Sequence, residues 1–391
     1  MAMWLILVLV ASASLVNGDR DERTPLGNAL DKASMKLLHE AYKSSHDKNV
    51  VTSPLGIVLL LSMYYEGAGP ETKKEISQFL GGADYKKISD SLTDFNRLLS
   101  AKDPNLLDIA NKIYISDKYS PAATFLPVAE KFMSKIEPLN FKDTAFAAGV
   151  MNRWAEERTK GHIQAPVSAK DLSPETVVTL LNVIFFQGQW LVAFNRNKTE
   201  EKDFHLSSGK TVKKPTMHLE NRFLYAENHE LGVKLIELNY NETDFRMIVV
   251  LPDEIDGLPK VLAKISTVGL LSDIYKMQFA PVIKIDFPKF EARSSFDLTD
   301  LLEKVGVSAI FSESAPGIVK DGAATVSKGF QKAYMKVDEE GSTAAVVTGI
   351  TVVTLSNLGT EPSPMYIKIN HPFLYIILQR DKVLFAGTYT H

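Results

Sequence analysis

Thr176 to Trp190 reads TVVTLLNVIFFQGQW, a long apolar run rich in β-branched and aromatic residues. A strand of this composition is buried on both faces, so the chain must build cover on either side of a sheet. Its 391 residues are enough for one large domain or two ordinary ones. FRMIVVLP (Phe245–Pro252) and VIKIDFPKF (Val282–Phe290) also read as strands, and IKINHPFLYIIL (Ile367–Leu378) with KVLFAGTYT closes the chain as a hairpin. The first half is helical in pattern. Leu30, Leu37, Leu38 and Ala41 share a helical face. Ser53-Pro54 offers a cap followed by proline in the first turn. Pro70-Glu71-Thr72 begins another helix, carrying Ile76 and Leu80 inward. Phe146–Arg158 is expected to end at Lys160-Gly161, where glycine suits a helix stop. Helices first, then strands, predicts an α+β fold: a single domain of helices packed on large mixed or antiparallel sheets. No repeat or linker divides it.

Gly341–Met365, GSTAAVVTGITVVTLSNLGTEPSPM, does not fit such a packed domain. Loops this long are functional or disordered, yet this one has strong β propensity and no charge before Glu361. It is strand-like chain where a connection belongs.

Other chemistry is poorly supported. Ser207–Thr211 (SSGKT) looks like the end of a phosphate loop, but Phe204 stands where that loop needs glycine, so a hairpin turn is the better reading. The eight histidines show no metal spacing, and no GxSxG elbow occurs. No metal, cofactor or enzymatic activity is expected. A formal charge of −3 argues against a general nucleic-acid binder. The short basic runs Lys210–Pro215 and Tyr85–Lys87 read as solvated faces.

Residues 1–18, MAMWLILVLVASASLVNG, have the short apolar core and small residues of a signal peptide, with the mature chain starting near Asp19. Secretion follows, and no later segment is long enough to span a membrane. Cysteine is absent from the sequence, so stability must come from the core and not from disulfides. Asn197-Lys198-Thr199 and Asn241-Glu242-Thr243 are glycosylation sequons.

Lys336–Thr348, KVDEEGSTAAVVT, resembles the hinge of the serpin family: an acidic pair, glycine, hydroxyl residue and then small residues. NVVTSPLGI (Asn49–Ile57), EGAGPET (Glu66–Thr72), LDIANKIYI, NRWAEERTKGHI (Asn152–Ile163), LLNVIFFQGQW, FPKF, VSKGFQKAYMKVDEEG and HPFLYIIL match that family in order over nearly the whole mature chain. The resemblance implies a serpin domain over residues 19–391 and a bait loop over about 339–364. It implies a suicide-substrate inhibitor that a protease attacks, forming a covalent acyl-enzyme before the cut loop inserts into the main sheet. The implied hinge is Glu339, Glu340, Gly341, Ser342, Thr343, Ala344 and Ala345. The implied cut lies between Leu355 and Ser356, with Thr351, Val352, Val353, Thr354 and Asn357 contacting the protease. Ser53, Asn182, Trp190 and Gln331 resemble the sheet-opening region. The implied partner is the target protease alone, with no membrane or nucleic acid, and the chain is expected to be a monomer.

The loop suits insertion physically. Ser342–Leu355 spans 14 residues, about 46 Å when extended at ~3.3 Å each. It contains no proline to break a ladder, and Ser342, Ala344, Val346 and Thr348, expected to alternate inward, are uncharged. Departures from the family pattern are Val346 and Val347 where smaller residues are common, Gly349 within the strand, Gly56 for serine, Gln331 for histidine and Pro70 for glycine. Leu355, with no Lys or Arg from Gly341 to Tyr366, favours chymotrypsin-like, cathepsin-G-like or elastase-like targets. Because NLGTEPSPM is longer than in many members, the cut register extends to Thr354 or Val353. That opens a cross-class reading, a papain-like cysteine protease selecting Val352 or Val353. A non-inhibitory carrier or storage member is the third reading; charged or proline residues in the hinge would signal it, and there are none.

Overall fold

The computed structural model describes residues 24–45, 49–102, 106–165, 167–242, 244–320, 324–341 and 364–391. The leader, the start at Asp19 and loop positions Ser342 to Ser363, including Leu355-Ser356, lie outside the described residues.

The described chain runs α1 (Pro25–Ser44), β1 (Val50–Thr52), α2 (Pro54–Gly67), α3 (Pro70–Phe79), α4 (Tyr85–Ser100), β2 (Leu107–Ser116), α5 (Leu126–Lys131), β3 (Lys135–Leu139), α6 (Thr144–Arg158) and β4 (Val178–Phe186). It continues with β5 (Glu200–His205), β6 (Thr211–Asn228), β7 (Val233–Asn239), β8 (Phe245–Pro252), α7 (Leu258–Val268), α8 (Leu271–Ile274), β9 (Gln278–Pro288) and β10 (Phe290–Asp297). Last come α9 (Leu298–Lys304), β11 (Val326–Val337), β12 (Met365–Lys368), β13 (Phe373–Gln379) and β14 (Lys382–Tyr389).

Among the described residues these strands form two sheets. One has five strands in the order β10-β11-β4-β2-β3; the other has nine, β1-β14-β13-β8-β7-β6-β9-β12 with β5 paired to β6. β4 is buried at every one of its residues, as its composition requires. One of its faces meets the main core through Leu180, Ile184 and Phe186. The other presents Leu181 and Val183 to a second cluster built with Ala147, Met151 and Ala155 of α6.

α2 is apolar on all sides and buried from Pro54 to Tyr64, the pattern of a helix inside a core. Ser53 caps it by accepting the Gly56 N–H at 3.1 Å, and Pro54 occupies its first turn. Gly56 is needed by a neighbour: a Cβ there would lie 2.4 Å from the Asn182 side-chain nitrogen.

Three expectations are refined by packing that period and composition do not encode. The run Val282–Phe290 is two strands, because the chain leaves the nine-stranded sheet at Pro288 and joins the five-stranded sheet at Phe290. Ile367–Leu378 is also two strands: β12 pairs parallel with β9, and the closing hairpin begins only at Phe373. The helix carrying Phe146 starts at Thr144 under an Asp143 cap and ends at Arg158, with Lys160 and Gly161 both at positive φ beyond it. Ser207–Gly209 makes the expected turn between β5 and β6, with Gly209 at φ 80°.

Candidate functional site

In the five-stranded sheet, β4 and β11 run parallel, in direct register from Gly329↔Leu180 to Tyr334↔Phe185. Each pairs antiparallel with its other neighbour, β2 and β10 respectively. This central parallel pair is the seam of the sheet. β11 ends at Val337, and the chain then turns through Asp338–Gly341. Gly341 has φ 107°, which side-chain-bearing residues avoid. A Cβ on it would sit 2.3 Å from the Gly188 carbonyl oxygen and 2.7 Å from the Trp190 nitrogen.

The segment after β4 holds this turn. The Trp190 N–H donates to the Glu340 carbonyl at 3.0 Å, and the Phe194 N–H donates to the Glu339 carbonyl at 2.8 Å. The Trp190 indole N–H donates to the Asp338 carbonyl at 2.9 Å, with its ring stacked on Tyr240 at 4.5 Å. Glu340 pairs with Arg196 at 2.6 Å. The buried Glu339 carboxylate accepts from Thr199 Oγ1 and from Lys289 Nζ, each at 2.8 Å. Lys289 sits where the chain passes from one sheet to the other, so Glu339 is tied to the junction between them.

Burial by itself would raise the Glu339 pKa, but the bonds from Lys289 and Thr199 outweigh it and hold the carboxyl below the usual range. Such a group stabilises the fold fully above its unfolded value of about 4.3, and that stabilisation is lost as pH falls through the lower folded value. Glu339→Gln is therefore expected to cost about 1–3 kcal/mol at neutral pH and to flatten the decline of stability on the acid side of pH 4.5. Thermal unfolding at a series of pH values checks both effects.

Halfway down the seam the side chains of Asn111, Asn182 and Gln331 lie abreast, since Gln331 registers with Asn182 and Asn182 with Asn111. Gln331 Nε2 donates to Asn182 Oδ1 at 2.8 Å and to the Ser53 carbonyl at 2.8 Å. Its Oε1 accepts from Thr52 Oγ1 at 2.6 Å and from the Ser53 N–H at 3.2 Å. Asn182 Nδ2 donates to Asn111 Oδ1 at 2.8 Å, and Ser53 Oγ donates to the Leu384 carbonyl at 3.0 Å. All four hydrogen-bonding positions of the Gln331 amide are used, and the cluster contains no titratable group.

Ser53, Asn182 and Gln331 thus meet in one network, and Trp190 stands apart at the turn of Glu339, Glu340 and Gly341. Thr52, Asn111, Thr199 and Lys289 belong to these two sites but were not singled out by sequence. Asn111, a polar residue inside the LDIANKIYI strand, carried a signal; Thr199 was named only as the last residue of a sequon and Lys289 only within FPKF, and neither pointed to Glu339. Asn197 and Asn241 are exposed, while Thr243 lies outside the described residues. No group of His, Asp or Glu among the described residues could hold a metal, and no helix among them is long and apolar enough to cross a membrane.

The family model described as "Serpin (serine protease inhibitor)" matches residues 28–391. Antichymotrypsin-2 of Bombyx mori is 28% identical over 93% of this chain and 97% of its own length. Antitrypsin of the same organism is 28% identical over 93% of both chains. Serpin48 of Tenebrio molitor, described as a highly specific serpin, superposes with a TM-score of 0.82 at 30% identity over 95% of this chain and 99% of its own. These relatives are named as inhibitors of proteases, not as enzymes. The turn at Gly341, a sheet with a parallel central pair, and a family match over nearly the whole length agree: the chain belongs to the serpin family.

Proposed function

We propose that this serpin is a secreted, monomeric suicide-substrate inhibitor of an extracellular serine protease with an apolar primary pocket. The protease attacks the Leu355-Ser356 bond and is held as a covalent acyl-enzyme. The cut segment, led by Ser342–Ala345, then enters between β4 and β11. The observation that carries this reading is the parallel seam. A chain leaving the end of β11 and reversed at Gly341 runs antiparallel to β11, and so to β4 as well. Entering between them replaces one parallel pairing by two antiparallel ones, the more stable arrangement per residue. The uncharged, proline-free stretch Ser342–Leu355 supports the same reading. So does the leader-like segment 1–18 for secretion. The exposed turns at Asn197 and Asn241 are where glycans would attach.

Because the silkworm antichymotrypsin and antitrypsin match equally well, selectivity rests on the bait residues and not on the scaffold. The test is incubation with chymotrypsin, elastase, trypsin and a cathepsin-L-like enzyme, read by denaturing gels and by mass spectrometry of the cut loop. A denaturant-resistant complex with chymotrypsin or elastase, cut after Leu355, is expected. A complex with the cysteine protease alone moves the cut towards Thr354 or Val353 and changes the target class. Cleavage without any complex means a non-inhibitory member. Leu355→Arg is expected to lower the inhibition rate towards chymotrypsin by at least about 100-fold, since an apolar pocket cannot pair the charge, and to create inhibition of trypsin. Second-order rate constants for the two enzymes check it.

A further inference from the structure

The seam is also fastened on the face opposite the Gln331 network. Phe185 of β4 and Tyr334 of β11 are register partners across it. The His162 ring lies against both, with centroid distances of 4.9 Å to each and interplanar angles of 18° and 16°. Arg293 stands 5.0 Å over Tyr334, and Lys160 stands 5.6 Å over Phe185. His162 is rigidly mounted. The Gly161 N–H donates to the Glu156 carbonyl at 2.9 Å and the His162 N–H to the Thr159 carbonyl at 2.9 Å. Thr159 Oγ1 donates to the Ala155 carbonyl at 2.8 Å and accepts the Ile163 N–H at 3.1 Å. The left-handed φ values of Lys160 (50°) and Gly161 (80°) turn the chain out of α6 and back onto the sheet.

We propose that His162 is a positioning residue for inhibition, a staple across the β4–β11 seam whose two ring contacts must be broken before a strand can pass Tyr334 and Phe185. The proposal rests on the insertion reading above. His162 is carried by the turn after α6 and by neither strand, so strands parted for an entering one leave both stacks. Burial, Arg293, Lys160 and Lys336 lower the His162 pKa while Glu291 opposes them, so the ring stacks as a neutral heterocycle. Each aromatic contact corresponds to a factor of a few in an equilibrium, and two lost together give a factor on the order of ten.

The experiment uses the full-length protein and a synthetic peptide of the Ser342–Leu355 sequence, whose annealing into the sheet needs no protease. His162→Ala is expected to take up the peptide about tenfold faster than the parent and to consume fewer inhibitor molecules per protease captured, with the acylation rate unchanged. His162→Phe, which keeps both stacks, is expected to stay within about twofold of the parent in annealing. Equal annealing rates for parent and alanine variant overturn the staple while leaving the insertion reading intact, and so does a phenylalanine variant that behaves like alanine. A parent that never takes up the peptide below its unfolding temperature overturns insertion, and the staple with it. A merely structural role would move the unfolding temperature of both variants without separating their annealing rates.

Discussion

Ala344→Arg is expected to turn the protein from an inhibitor into a substrate, lowering the yield of covalent complex by at least about 100-fold while leaving loop cleavage as fast as before. The reason lies in the seam. A strand entering beside β4 has no solvent-facing side there, because β4 is buried at every residue and each of its faces lies against a hydrophobic cluster. An arginine carried in with the strand must be desolvated without a partner. That costs several kcal/mol, and each 1.4 kcal/mol is a factor of ten. Insertion then falls behind hydrolysis of the acyl-enzyme, and the protease leaves intact. The measurement is the number of inhibitor molecules consumed per protease inactivated, alongside the acylation rate. A complex yield near that of the parent would mean that the segment does not enter at β4.

Gln331→Ala is expected to destabilise the native state by about 3–5 kcal/mol, the largest effect anticipated for a single residue outside the loop. The amide is fully buried, and removing it strands the Thr52 hydroxyl, the Asn182 amide and both backbone groups of Ser53. Each orphaned buried group costs about 1–3 kcal/mol, offset in part by relaxation. Since Gln331 to Asn182 is a direct bond across the seam, the variant should also open spontaneously, seen as faster peptide annealing and earlier loss of monomer on warming. Gln331→His separates bonding from charge. A histidine buried there is held neutral, so its folded pKa lies below the unfolded value of about 6.5. The variant should resemble the parent above that pH and lose stability as pH falls below it. Urea unfolding at pH 8 and pH 5.5 distinguishes the two substitutions.

The fold was legible where composition dictates burial. The run through β4 announced a strand covered on both sides, and the Ser53-Pro54 pair announced the start of α2. The hinge was read only through its resemblance to the family, and the φ of 107° at Gly341 shows why glycine stands at that turn. What the sequence did not reveal is set by contacts between distant segments. The change of sheet at Lys289 looks like continuous strand in a one-dimensional reading. The partners of Glu339 come from positions 140 and 50 residues away. Asn111 joins the Gln331 network only because three strands place it abreast of Asn182 and Gln331, and Thr52 reaches it from β1 in the other sheet. His162 reads as an ordinary polar residue after a helix stop, and only the register of Phe185 against Tyr334 gives it something to clasp.

The direction of the seam has a mechanical consequence. Strands dragged past each other share the load over every bond between them at once. In the proposed insertion, a chain folded back at Gly341 would instead part β4 from β11 from one end, a residue at a time, and each step that opened one ladder would build two. The resistance is local and ordered. The Tyr334–Phe185 pair lies three residues in from the end of β11 and the Gln331–Asn182 bond six. Beyond them Phe330 and Gly329 face Leu181 and Leu180, and the next side-chain bond across the seam is Ser327 Oγ accepting the Val177 N–H at 3.0 Å. In that reading progress past Gln331 is a ratchet, since backing out would mean surrendering two ladders to regain one.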